Sequence, residues 1–165
     1  MYVFEFTDNE IKIFNKKTKK LVIEKIPKDI IKNNKIYDFL KITDKLNKIV
    51  YNYKIINTFF RIKIIILVFE SITPTEEYLF KSLFVSFSNA DVQLININDI
   101  FDSRHLFISG DNLYYNNKKI ERISKGEYIL IGNYDKYSSL KKKIEKNNIT
   151  LLEYENSNTI IYEKV

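Results

Sequence analysis

The stretch that most constrains this chain is Arg61–Phe69, RIKIIILVF, together with the residues immediately after it. Its apolar centre, Ile64 to Phe69, is continuous, which suits a strand covered on both faces, as in a parallel sheet. Thr73 then offers an N-cap, Pro74 stands at the first helical position, and Glu76 completes a Thr-x-x-Glu capping box. Leu79, Phe80, Leu83, Phe84 and Phe87 would share one apolar face of that helix. Residues 91–97, DVQLINI, read as the next strand. A strand–helix–strand unit of this length predicts a right-handed parallel crossover. The expected class is therefore α/β, with mixed sheets and flanking helices.

The rest of the chain fits around this unit. YVFEF (2–6) and IKIF (11–14) alternate at period two about a polar turn and predict a hairpin. LVIEKI (21–26) predicts a third strand, and residues 27–38 a connector with Asn33-Asn34 as turn chemistry. From Thr43, Leu46, Ile49, Val50, Tyr53 and Ile56 form the stripe of an amphipathic helix. LFIS (106–109), LYY (113–115) and KKIERI (118–123), separated by Gly110-Asp111-Asn112 and Asn116-Asn117, read as a meander. GEYILIG (126–132) reads as a strand, and Tyr137, Leu140 and Ile144 mark a short helix. ITLLEY (149–154) and TIIYEK (159–164) read as a closing hairpin. No internal repeat is visible.

With 165 residues, the chain has the length of one domain that buries its own core. It has no Cys, which excludes disulfides and Cys-ligated metal centres. One His, His105, excludes a His-rich metal site. The net charge of +6 comes with interspersed acids and reads as a lysine-biased surface. Its densest clusters are Lys16, Lys17, Lys19, Lys20 and Lys141, Lys142, Lys143. The start of the chain lacks the pattern of a signal peptide, and no apolar run is long enough to span a membrane, so a cytoplasmic protein is expected.

Other chemistry is thinly represented. Asp99, Asp102 and Asp111 are three acids near each other in sequence, read as a polar strand end and loop. Ser71, Ser109 and His105 supply a nucleophile and a base, but there is no Gly-x-Ser-x-Gly elbow and nothing in the sequence orients His105. Glu76 and Glu77 suit a helix N-terminus. The lysines from Lys28 to Lys35 lack interleaved aromatics as stacking platforms, so nucleic acid is not an expected partner. Of Tyr114 and Tyr115, one must point outward and is a candidate partner contact.

The order of elements resembles that of the MreB-type bacterial actins over most of the chain. Phe69-Glu70-Ser71-Ile72-Thr73, with Glu76 or Glu77 further on, is similar to the family's strand, Pro-Ser-Gly-Ile-Thr-like loop and helix. Val92-Gln93-Leu94-Ile95 matches the family's Val-x-Leu-Ile, and Ile36-Tyr37-Asp38-Phe39 its Ile-Ala-Asp-Phe. Thr7 and Asn9 fall where the family's Asp-Leu-Gly-Thr-x-Asn ends, and residues 129–156 resemble its last strand, Gly-Gly loop, helix and strand. The resemblance implies an actin-like, ribonuclease-H-like core in two halves: a subdomain IA-like part at 1–104 and a reduced IIA-like part at 105–165. The two small inserted subdomains would be missing.

The departures bear on function. Where the family carries an Asp and a Gly facing the phosphates, this chain has Phe4 and Phe6. A phenyl ring has no oxygen for Mg²⁺ or its waters, and it blocks backbone approach to a phosphate. Asn96 and Ile97 replace glutamates that help position the attacking water, and neither serves as a carboxylate base. Gly110 alone remains of the second phosphate loop's glycine run, and Gly132 alone of the adenosine-side pair. The resemblance thus implies a pseudoenzyme without ATPase activity and without cofactor or metal. Its partner would be a bacterial actin filament, itself, or a membrane-associated assembly protein, with contact to a membrane surface left open. The alternatives are an actin-like adaptor of a secretion or pilus assembly and, from charge alone, a nonspecific nucleic-acid binder. A hydrolase ranks last for want of a catalytic set.

Overall fold

A computed structural model of the protein describes residues 1–32, 35–55, 61–87, 89–110, 112–120, 126–131, 149–155 and 159–165. The chain forms two compact units. The first comprises Met1–Val68 and Ile72–Ile95, the second Phe69–Ser71 and Asn96–Val165.

Unit 1 is built on a five-stranded sheet. Its strands are β1 (Tyr2–Phe6), β2 (Glu10–Asn15), β3 (Lys20–Lys25), β6 (Ile62–Val68) and β7 (Ala90–Asn96), in the order β3-β2-β1-β6-β7. The predicted hairpin and third strand are present as an antiparallel meander, with Phe4 opposite Ile13 and Phe6 opposite Ile11. β1 and β6 run parallel, with Phe4 beside Ile66. Ile64, Ile65, Ile66 and Leu67 are all buried, so β6 is covered on both faces as its composition requires.

Two helices cover one face of this sheet. Helix α1 (Phe39–Asn52) turns Ile42, Leu46, Ile49 and Val50 inward. Helix α2 (Pro74–Ser82) and the turn after it contribute Phe80, Leu83 and Phe84. These side chains form one core with Phe4, Phe6, Ile11, Ile13, Ile64, Ile66 and Val68. Helix α1 begins ahead of Thr43, at Phe39, because the Asp38 carboxylate accepts from the Lys41 N–H and caps it there. The connector at 27–38 holds a two-residue ladder, β4 (Ile31–Lys32) with β5 (Lys35–Ile36).

Unit 2 repeats the same plan. After a single 3₁₀ turn (Ile97–Asp99) come β8 (His105–Ser109), β9 (Asn112–Tyr115), β10 (Lys118–Lys119), β11 (Gly126–Ile131) and β12 (Ile149–Glu155). The sheet order is β10-β9-β8-β11-β12. β8 pairs antiparallel with β9 and parallel with β11, and β11 pairs parallel with β12. Each sheet is thus a three-strand meander whose first strand lies parallel to the fourth, a repeat of topology without a repeat of sequence. Leu106, Ile108, Leu113, Tyr128 and Leu130 form a core on one face.

The chain end departs from expectation. Residues 159–164 do not pair as a hairpin strand; Ile160–Lys164 form a short helix, α3. Adjacent Ile161 and Tyr162 are both buried, a pattern that a two-faced edge strand does not produce. The helix expected around Tyr137, Leu140 and Ile144, the lysines at 141–143, and Gly132 lie outside the described residues.

Candidate functional site

In unit 1, the end of β1 is filled with aromatic rings. Phe4 and Phe6, two residues apart on one strand, point to the same face. Their rings stack at 6.2 Å, Phe84 meets Phe4 edge-on at 5.1 Å, and Phe80 lies 5.6 Å from Phe6. Both are buried. Thr7, also buried, closes the β1–β2 turn: its hydroxyl donates to the Glu10 carbonyl and accepts from the Glu10 N–H. On the opposite face of β1, buried Glu5 pairs with Lys12 directly across the ladder at 2.9 Å.

The N-terminus of α2 lies beyond the end of β6. A helix start offers unsatisfied N–H groups to anions. Here the chain supplies its own. The Thr73 hydroxyl accepts from the Glu76 N–H, and Glu76 Oε2 accepts from the Thr73 N–H at 2.7 Å. Lys35 of β5 meets the other carboxylate oxygen at 2.9 Å. The Thr73 N–H first, and the Lys35 ammonium second, hold the Glu76 carboxyl below its ordinary range.

In unit 2, the segment after Phe69 is clasped by the β9–β10 hairpin. Asn116 and Asn117 both have positive φ, as a tight two-residue hairpin turn requires. The Ser71 N–H donates to the Asn117 carbonyl at 3.3 Å, and the Lys119 N–H to Glu70 Oε1 at 3.1 Å. Asn98 Nδ2 donates to Asn117 Oδ1 at 2.6 Å. Asn96 is engaged twice: its Nδ2 donates to the Glu70 carbonyl, and its Oδ1 accepts from the N–H and amide of Asn98. Ile97 is fully buried. Gly110, at φ 57°, turns the chain after β8 in a left-handed conformation that glycine adopts without strain. Phe69 itself packs against Tyr114 at 5.3 Å and Phe107 at 6.2 Å.

His105 is oriented, contrary to the expectation from sequence. Its Nδ1 lies 2.8 Å from Asp102 Oδ1, and its ring stacks on Phe107 and tilts against Phe101. Asp102 also accepts from the N–H and guanidinium of Arg104. These donors, the Arg104 N–H first, hold the Asp102 carboxyl down to about 2. The Asp-x-x-His spacing at a turn was the available signal. Ser109 stands at the far end of β8 from His105, about 13 Å along the strand, so these two form no nucleophile–base pair.

Of the two adjacent tyrosines, Tyr114 is fully buried, which leaves Tyr115 as the one that points outward. Tyr115 is half-buried, edge-on to Tyr128 at 5.4 Å. Among the described residues, no three acids or histidines gather as metal ligands, and no helix is long and apolar enough to cross a membrane. Asp111 lies outside them.

No protein-family model matches the chain, and no curated protein matches it. Among solved structures, it is similar to the crystal structure of MreB5 of Spiroplasma citri bound to ADP, with a TM-score of 0.44 and 11% sequence identity over 73% of this chain. The likeness covers 50% of that protein, so the chain spans half of its length.

Proposed function

We propose that this chain is a non-catalytic, actin-like protein of the MreB type, acting through protein–protein contacts in a cytoskeletal or cell-shape role in the cytoplasm. The observation that carries the reading is the aromatic plug of Phe4, Phe6, Phe80 and Phe84. It occupies the positions that the resemblance gives to phosphate-facing groups. Three further features support it. The shared strand order of the two sheets suits a core of two ribonuclease-H-like halves. The α2 N-terminus binds its own Glu76, and Asn96 is committed to holding the Glu70 loop. The β4–β5 ladder stands where the family inserts a small subdomain.

Calorimetric titration with Mg–ATP, paired with a phosphate-release assay, tests the reading. No binding at millimolar nucleotide and no turnover is the expected result. Micromolar binding or steady phosphate release would overturn it. Co-sedimentation with a full-length bacterial actin then asks whether the contact is with a filament.

A further inference from the structure

The sheet of unit 1 ends in two unlike edges. β3 is guarded: Lys20 and Lys25 stand at its ends, and Glu24 holds Lys45 at 2.9 Å and the Tyr53 hydroxyl at 2.7 Å. Exposed charge of this kind blocks edge-to-edge pairing. β7 has no such guard. Its seven residues, ADVQLIN, include one charge, Asp91, which pairs with Arg61, and no Lys or Pro. No further strand pairs with it among the described residues.

The hydrogen-bond phase of this edge can be derived. The Ile62 N–H donates to the Asn89 carbonyl at 2.8 Å. That bond joins the start of β6 to the start of β7, so the two neighbouring strands run parallel. In a parallel ladder the inward groups of β7 then belong to Asp91, Gln93 and Ile95, while those of Val92 and Leu94 face outward. The Val92 and Leu94 side chains also pack, half-buried, at the margin of the core. Gln93 between them is exposed.

We infer that β7 pairs antiparallel with β7 of a second copy about a dyad at Gln93, joining two unit 1 sheets into one. This deepens the contact role proposed above by naming a partner. In that register Val92 meets Leu94 of the copy, so both outward N–H and C=O pairs are exchanged and the apolar margins are continuous. Gln93 meets itself in a close, non-hydrogen-bonded pair, and Asp91 meets Ile95, so no like charges oppose. Registers centred one residue away, on Val92 or Leu94, keep the same hydrogen-bond phase but leave two residues at one end of β7 without a β7 residue opposite, whereas the Gln93 centre pairs all seven.

The test is sedimentation equilibrium of the full chain over a concentration series, with Gln93→Lys and Gln93→Glu. Both substitutions are at an exposed side chain. The wild type is expected to form a dimer. Each variant alone opposes like charges at the dyad and is expected to weaken the dimer by roughly tenfold or more. An equimolar mixture of the two is expected to regain it as a heterodimer, which a misfolded variant could not do; should one variant fail to fold, the other alone still reads the loss. A monomeric wild type, variants that dimerise as tightly as the wild type, or growth beyond a dimer would each overturn the inference, because a dyad closes. A dimer that also bound Mg–ATP would retire the non-catalytic reading and leave this pairing standing.

Discussion

Replacing Phe4 by alanine removes a ring that touches Phe6 and Phe84 at the centre of the unit 1 core. A deletion of this kind in a buried site costs about 3–5 kcal/mol, read as a lower urea midpoint. Phe4→Asp should cost more, since it buries a carboxylate without a partner; it would not recreate a nucleotide site. Glu5 and Lys12 call for a different expectation. Lys12→Met alone removes the ion-pair partner of a buried carboxylate and should destabilise by about 3 kcal/mol, whereas Glu5→Leu with Lys12→Met should recover most of that loss. A double-mutant cycle of urea midpoints checks both. This pair was not legible in the sequence, where Glu5 sits in an alternating strand and its partner is fixed only by the register.

At the scale of the element, α2 is the clearest case of local sequence specifying local structure. Thr73, Pro74 and Glu76 mark its start in the sequence, and all three take those roles. Thr73→Ala should cost about 1 kcal/mol by thermal or urea unfolding. The Glu76 carboxyl is depressed on folding, so its contribution is present above its ordinary value of 4.5 and is lost as the pH falls through the lower folded value. Glu76→Gln should therefore flatten the acid limb of stability against pH in that window, measured by urea midpoints at successive pH. The start of α1 is harder to see, because Leu40 in its first turn is largely exposed and breaks the apolar stripe. α3 reads as a strand in the sequence because five residues are too few for the periods of helix and strand to separate. The Asp-x-x-His spacing of Asp102 and His105 is visible there, but the turn that brings them into contact is a matter of backbone geometry.

At the scale of the whole molecule, the strand order of unit 1 recurs in unit 2 although the sequence shows no repeat. Strand order is set by pairing, and many side-chain sets satisfy one pairing, so such a repeat does not show in composition. If the chain binds no nucleotide, millimolar Mg–ATP should leave its melting temperature unchanged. A ligand present at a hundred times its Kd would add about 2.7 kcal/mol, a shift of a few degrees that a thermal scan resolves. The division of the chain also governs how it can emerge during synthesis. Phe69–Ser71 belong with unit 2, although residues on either side belong to unit 1. When translation has reached Ile95, nearly all of the first sheet has been made, but Phe69 has neither Phe107 nor Tyr114 to cover it. A nascent chain paused there, or a fragment cut there for expression, carries a bare aromatic ring beside a finished sheet. It is the species from which chaperone capture or aggregation would begin.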